Sequence, residues 1–244
     1  MYNFAMHRFF ITSLDKISEK EIVIVSDDLL HQFRNVLRFE AGEKVGFFDG
    51  DGFDYEAELS EVGKKMARGK ILTKRENEAE PKIKIALYFG ILKSPERVEF
   101  ILQKGTEVGV SEFVPLITER TERPTLHKRE RLERIIKEAA EQSGRGFIPK
   151  LSEPEKLKDV FAKSAKTNEG INIIAHPETK NSIAGVYGKI KKEKINLFIG
   201  PEGGFSENEI SSAQESGFLA FSLGKRILRA ETAAITIPAV LLAL

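Results

Sequence analysis

The sequence predicts an α/β protein in two parts, a small N-terminal β-barrel followed by a larger α/β layer sandwich built on a mainly parallel sheet. Three observations predict it. Short β-rich runs crowd residues 1–73. After the polar, Pro-bearing stretch "TKRENEAEPK" (Thr73 to Lys82), strands alternate with helical segments. Several strands of the second part end in unusual Gly-rich or basic loops, where an open α/β sheet gathers its ligands.

In the first part, "RFFI", "EIVIV", "KVGFFD", "FDYEAELSEV" and "ARGKILTK" read as strands, and "DGDG" (Asp49 to Gly52) as a hairpin turn. One helix interrupts them. "SDDLLHQFRNVLR" offers Ser26 as N-cap and Leu29, Leu30, Phe33, Val36 and Leu37 at helical spacing. The boundaries expected are a barrel over 1–73, a linker over 74–82 and the second domain over 83–244.

In the second domain the strands are "KIKIALYFGI", "EFVPLIT", "INIIAHP", "INLFIG" and "FLAFSLG". Helices are expected near 95–108, 127–143, 154–165, 181–192 and 206–216, with a final one from about Ala230. Ser206 and Glu209 form a capping box that opens the helix after "INLFIG", which leaves "PEGG" in the strand-to-helix turn.

Bulk composition narrows the function classes. Lys plus Arg (38) nearly cancel Asp plus Glu (37), so any basic surface must be local. With no cysteine and four scattered histidines, disulfides, thiolate chemistry and a transition-metal site are not expected. The apolar run "AAITIPAVLLAL" falls short of the roughly 18 residues a membrane span needs, and the start does not follow a secretory-signal pattern. A cytoplasmic protein with no membrane partner is the expectation.

Three loops could carry chemistry: "AHPE" (Ala175 to Glu178), "GPEGGF" (Gly200 to Phe205) and "LGKRILRAETA" (Leu223 to Ala233). Glycines at 200, 203 and 204 permit close ligand approach, and Pro201 stiffens the turn. The spacing is neither GxGxxG nor a P-loop, and Glu202 suits a neutral or cationic ligand better than a phosphate. A plain strand-to-helix turn remains the alternative for this loop taken alone. Lys225, Arg226 and Arg229 sit where the helix dipole disfavours cations, which points to an outside partner or to pairing with Glu231. Residues 118–150 hold nine Lys/Arg against six Asp/Glu, consistent with an RNA contact or a solvated helix face.

Together, "HRFF", "HQFRNVLRFEAGEKV", "QKGTEVGVSEFVPLITER", "ERLERIIKEAAEQSGR", "IGPEGGFSENEI" and "LGKRILRAETAA" occur in the order that resembles the RsmE family of ribosomal RNA methyltransferases, within the SPOUT superfamily. Leu132, where many relatives have an aromatic, and Gln32 beside His31 depart from the family pattern. The resemblance implies an N-terminal PUA-like RNA-binding barrel, a C-terminal domain with a trefoil knot, and a homodimer joined partly through the C-terminal helix. It implies S-adenosylmethionine as methyl donor and ring nitrogen 3 of uridine 1498 in 16S ribosomal RNA of the small ribosomal subunit as target.

By matching position, the donor is expected at His176, Pro177 and Glu178 of the first loop, at Gly200, Pro201, Glu202, Gly203 and Gly204 of the second, and at Leu223, Gly224, Ile227, Leu228, Arg229, Thr232 and Ala233 of the third. Uracil's imide nitrogen attacks only as its proton is accepted or shared. Glu202 and Glu231 are the candidate bases, and Arg229 the candidate partner of the developing uracilate oxygen. RNA contacts are expected from Arg8, Arg34, Arg38, Arg120, Arg123 and Arg145. Rival readings are a related methyltransferase with another RNA target, a non-enzymatic RNA-binding module, and an NTP enzyme, the last disfavoured by the lack of a P-loop lysine.

Overall fold

The computed structural model describes residues 6–164, 170–188, 190 and 193–243. The sequence-predicted helix end at 165, the positions 189, 191 and 192, and both extreme termini lie outside them. The chain divides into two compact units.

The first unit takes the chain up to Glu80 together with Ala140–Ile148. Its strands are β1 (Arg8–Phe10), β2 (Lys16–Ile17), β3 (Glu21–Ile24), β4 (Lys44–Phe48), β5 (Phe53–Val62) and β6 (Ala67–Glu76), hydrogen-bonded in the order β1-β4-β5-β6-β3-β2. Only the β1–β4 pairing is parallel. Alternation drives the curl: Phe9, Ile22, Ile24, Val45, Phe47, Tyr55, Ala57 and Leu59 point inward from four strands to one core. Two register shifts between β5 and β6 add local bend. Helix α1 (Asp27–His31) and a following π-turn (Gln32–Val36) cap that core with Leu29, Leu30 and Phe33.

Two expectations change here. Ser26 starts α1 but makes no side-chain cap; its Oγ donates to Asp15 Oδ2 at 3.1 Å instead. The linker expected over 74–82 does not begin at 74, because β6 continues to Glu76, paired with Phe53, and Asn77 N donates to Gly52 O at 2.7 Å. A ten-residue β5 supplies partners for those backbone groups, so the ladder outlasts the polar composition.

Arg8 and Arg145, expected on RNA, are interior. Arg8 pairs with Asp54, donates to the Arg145 carbonyl at 2.7 Å and lies 3.8 Å over the Phe48 ring. Arg145 is 3% exposed and forked onto Glu80. Asn77 completes the network by donating to Asp54 and to the Gly144 carbonyl, both at 2.9 Å. Each buried charge therefore has a partner, as burial demands.

The second unit takes Pro81–Ala139 and Pro149–Leu244. Its strands are β7 (Lys84–Gly90), β8 (Glu112–Ile117), β9 (Lys150–Leu151), β10 (Glu155–Lys156), β11 (Ile171–Ala175), β12 (Lys194–Ile199) and β13 (Leu219–Phe221). They run in the order β10-β8-β7-β12-β11-β13, with β9 beside β8, and every pairing is parallel. Their near-continuous apolar runs follow from burial on both faces. Helices α2 (Pro95–Val108), α3 (Arg129–Ser143), α4 (Leu157–Ser164), α5 (Ile183–Tyr187), α6 (Glu207–Glu215) and α7 (Ala230–Ala243) make the connections, with the last turn of α3 belonging to the first unit. The helix expected from 154 begins only at Leu157, because Glu155 and Lys156 pair with β8. The α6 capping box is present in both directions. No described helix is long and apolar enough to cross a membrane.

Candidate functional site

Because β12, β11 and β13 are adjacent and parallel, their C-terminal ends share one edge, and the three loops leaving them converge. They enclose a cavity of about 560 Å³, within the usual range for small-molecule sites.

The second loop is a tight fold on itself. Gly204 takes φ 67° and its N–H donates to the Pro201 carbonyl at 2.9 Å, and a Cβ on Gly200 would meet Gly204 backbone at 2.9 Å. Gly90 at the end of β7 lets Pro201 seat against it, since a Cβ there would stand 2.4 Å from the Pro201 ring. The first and third loops are stitched together: His176 N donates to Phe221 O at 2.9 Å, Ser222 N to Asn181 O at 2.8 Å, and Asn181 Nδ2 to Ala220 O at 3.1 Å.

Of the residues expected to hold the donor, His176, Pro177, Glu178, Gly200, Pro201, Glu202, Gly203, Gly204, Leu223, Ile227, Leu228, Arg229 and Ala233 line the cavity, with Glu231. Gly224 and Thr232 do not. Gly224 serves the turn itself with φ 106°, bracketed by Ser222 Oγ, and Thr232 lies exposed on α7 while Ala230, Ala233 and Ile237 present the cavity face at helical spacing.

The two candidate bases differ. Glu202 accepts the Lys93 N–H on Oε1 at 3.1 Å. Glu231 is 12% exposed, and its Oε2 is buried with no hydrogen-bond partner. A buried acceptor left open costs free energy unless a ligand supplies a donor.

Arg97 was missed by sequence reasoning. It lies in the first turn of α2, with its Nε 3.7 Å from Glu231 Oε1 and its Nη1 3.8 Å from Glu202 Oε1. The signal was present: a cation behind Ser94 and Pro95 at a helix N-terminus stands against the dipole, the same oddity that marks Lys225 to Arg229. Arg120 joins the rim by donating Nη1 to the Gly203 carbonyl at 2.6 Å. The lining is thus apolar at Ile199, Phe221, Leu223, Leu228 and Ile237, with carboxylates and guanidiniums interleaved. No group of three or more potential metal ligands is found among the described residues.

The chain thus carries a parallel α/β unit with a Gly-rich loop cavity at its carboxyl edge and a second unit built on a curled β-sheet, and the comparisons give this pair its class: a two-domain RNA methyltransferase. A family model described as an RNA methyltransferase domain matches residues 78–242, and one described as an RNA methyltransferase PUA domain matches residues 25–72. The chain belongs to the family of ribosomal RNA small subunit methyltransferase E, the RsmE methyltransferases. Its relative of that name from Synechocystis sp. is 33% identical, with 95% of this chain and 76% of the relative aligned. The crystal structure of the Neisseria gonorrhoeae enzyme of that name, bound to S-adenosyl methionine, superposes with TM-score 0.85 at 31% identity, covering 96% of each chain. A Legionella pneumophila structure in complex with the cofactor SAM gives TM-score 0.84 at 33% identity over 98% of this chain and 97% of that one.

Proposed function

We propose that this chain is an S-adenosylmethionine-dependent methyltransferase that methylates ring nitrogen 3 of uridine 1498 in 16S ribosomal RNA of the small ribosomal subunit. The single observation that carries the reading is the cavity at the carboxyl edge of β11, β12 and β13, lined by residues of all three loops and by Glu231, whose Oε2 is buried without a hydrogen-bond partner. S-adenosylmethionine presents cationic sulfonium and ammonium groups, a carboxylate and an apolar adenine. Carboxylates, guanidiniums and aliphatic walls in the same cavity fit that mixture.

Bound S-adenosylmethionine supplies the electrophilic methyl group. This chain's part is to hold the uracil ring in line with it and to take the imide proton. Glu231 is the base favoured here, since its Oε2 is free to accept, whereas Glu202 serves to tie its loop to Lys93. Arg229 is exposed at the cavity lip and is the proposed partner of the uracilate oxygen. The target base must leave its stack to enter. Exposed Arg38 and Arg123, half-buried Arg34, and the remaining donors of Arg120 are the proposed phosphate contacts.

The same reading includes a homodimer, a trefoil knot in the second domain and a cytoplasmic location, with the domain limits 1–73 and 83–244 revised to the two compact units. Its test is methyl transfer from labelled S-adenosylmethionine to small subunits lacking the modification. Recovery of label as 3-methyluridine at the expected position supports the donor and the target together, and label on another base overturns the target while keeping the donor site.

A further inference from the structure

Glu202 and Glu231 reach the cavity from two different loops, one after β12 and one at the start of α7. Two carboxylates facing one site repel each other, and both have their Oε1 turned to the same cation. Nε of Arg97 lies 3.7 Å from Glu231 Oε1, and its Nη1 lies 3.8 Å from Glu202 Oε1. Neither distance is a hydrogen bond, but both are close ion pairs. The planar fork of an arginine can address two anions at once, which a lysine ammonium does less well.

The cation is placed at local cost. It stands in the first turn of α2, where the helix dipole disfavours positive charge, and the one acidic neighbour in that turn, Glu96, accepts from Ser94 Oγ instead. The two carboxylates offset that cost. A consequence follows for the unpartnered oxygen: with Oε1 held by Arg97, Glu231 keeps Oε2 buried and open.

Resting on the methyltransferase reading above, we propose that Arg97 is a positioning residue for methyl transfer. Its guanidinium latches the second and third loops at a fixed spacing and fixes the orientation of the Glu231 carboxylate. It acts through the carboxylates and touches neither reacting atom.

The test compares wild type, Arg97→Gln, Arg97→Lys, Glu231→Gln and the double variant Arg97→Gln/Glu231→Gln. Transfer rates on small subunits and donor binding by calorimetry are measured for each, with a thermal melt to establish folding. Arg97→Gln is expected to lose roughly 10- to 100-fold in kcat/KM, in keeping with the cost of small misplacements at a reacting centre. Arg97→Lys should fall between it and wild type. At saturating donor the double variant should be no slower than Glu231→Gln alone, because the Glu202 arm acts on donor affinity and only the Glu231 arm on the chemical step. A general structural role would instead multiply the two losses, and that outcome overturns the proposal, as does a wild-type rate in Arg97→Gln. If Arg97→Gln fails to fold, a wild-type rate in Arg97→Lys overturns it and a reduced rate with unchanged melting supports it. Wild-type protein that transfers no methyl group would overturn the methyltransferase reading, and this inference with it.

Discussion

Glu80 grips Arg145 with both oxygens, Oε1 receiving Nε at 2.8 Å and Oε2 receiving Nη2 at 3.0 Å, and the same Oε1 accepts the Gly146 N–H at 2.8 Å. Arg145 is 3% exposed, so this fork is an interior pair. Removing one partner leaves the other charge buried and uncompensated, which costs about 3–5 kcal/mol. Arg145→Ala is therefore expected to lower the urea midpoint of the first unit sharply. The salt dependence of RNA binding, measured at a temperature where the variant remains folded, should stay that of wild type, because this guanidinium faces no solvent.

Asp15 gathers five hydrogen bonds, from the N–H and hydroxyl of Thr12, the N–H of Val25, and the N–H and hydroxyl of Ser26. Burial pushes its pKa up, but the hydrogen bonds from Val25, Ser26 and Thr12 outweigh that, and the net pKa is lowered from 3.8. A carboxyl whose folded pKa is depressed stabilises the fold fully above its unfolded pKa, and the contribution is lost as pH falls through the folded value. Wild type should thus lose stability below about pH 4, where the free carboxyl begins to protonate. Asp15→Asn should cost about 1.5–3 kcal/mol at pH 7 and flatten that acid limb, as read from urea midpoints against pH.

Gly90→Ala tests how tightly the second loop is seated. The added methyl would lie 2.4 Å from Pro201, in a buried position where neither backbone can yield cheaply. Overpacking of this kind costs about 1–3 kcal/mol, and the displaced loop should bind S-adenosylmethionine more weakly by calorimetry. Gly188→Ala is the control, since its nearest neighbour would be Ala184 O at 3.8 Å. Donor affinity equal to wild type in Gly90→Ala would show that the loop does not need this contact.

Glu231→Gln is expected to slow methyl transfer by roughly 100- to 10,000-fold with little change in donor affinity, the signature of a lost general base. Glu202→Gln should act mainly on donor affinity, because it keeps an oxygen to accept the Lys93 N–H but removes the charge that faces Arg97 across the two loops. The reverse pattern, in single-turnover rates and binding constants, would exchange the two roles.

Replacing Arg34, Arg38 and Arg123 together should reduce the slope of log affinity against log salt by about 2, the share of three single-strand phosphate contacts. An unchanged slope would remove these side chains from the RNA surface.

Much of the molecule was legible in order along the chain. Apolar runs in "INLFIG" and "KIKIALYFGI" became the adjacent central strands β12 and β7, and Ser206 with Glu209 formed the cap that sets where the "PEGG" turn ends. These are local matters: alternation, capping and turn chemistry act within a few residues, so the chain states them directly. That the three loops meet also follows once the strands are parallel and share an edge.

The fate of the charges rests on tertiary packing. Arg8 and Asp54 are 46 positions apart, and Arg145 and Glu80 are 65 apart, yet each pair is buried and occupied. As residue types in sequence, they are indistinguishable from the exposed Arg38 and Arg123. Arg97 likewise finds Glu202 and Glu231 only when α2, the loop after β12 and α7 come together around the cavity. A guanidinium's role depends on which carboxylate lies within a few ångströms and how much water remains between them, and both are properties of packing. Local sequence set most of the elements and the chemistry of the loops. Packing determined which cations stay exposed, which one lies between the two loop carboxylates, and which carboxylate oxygen is left without a partner.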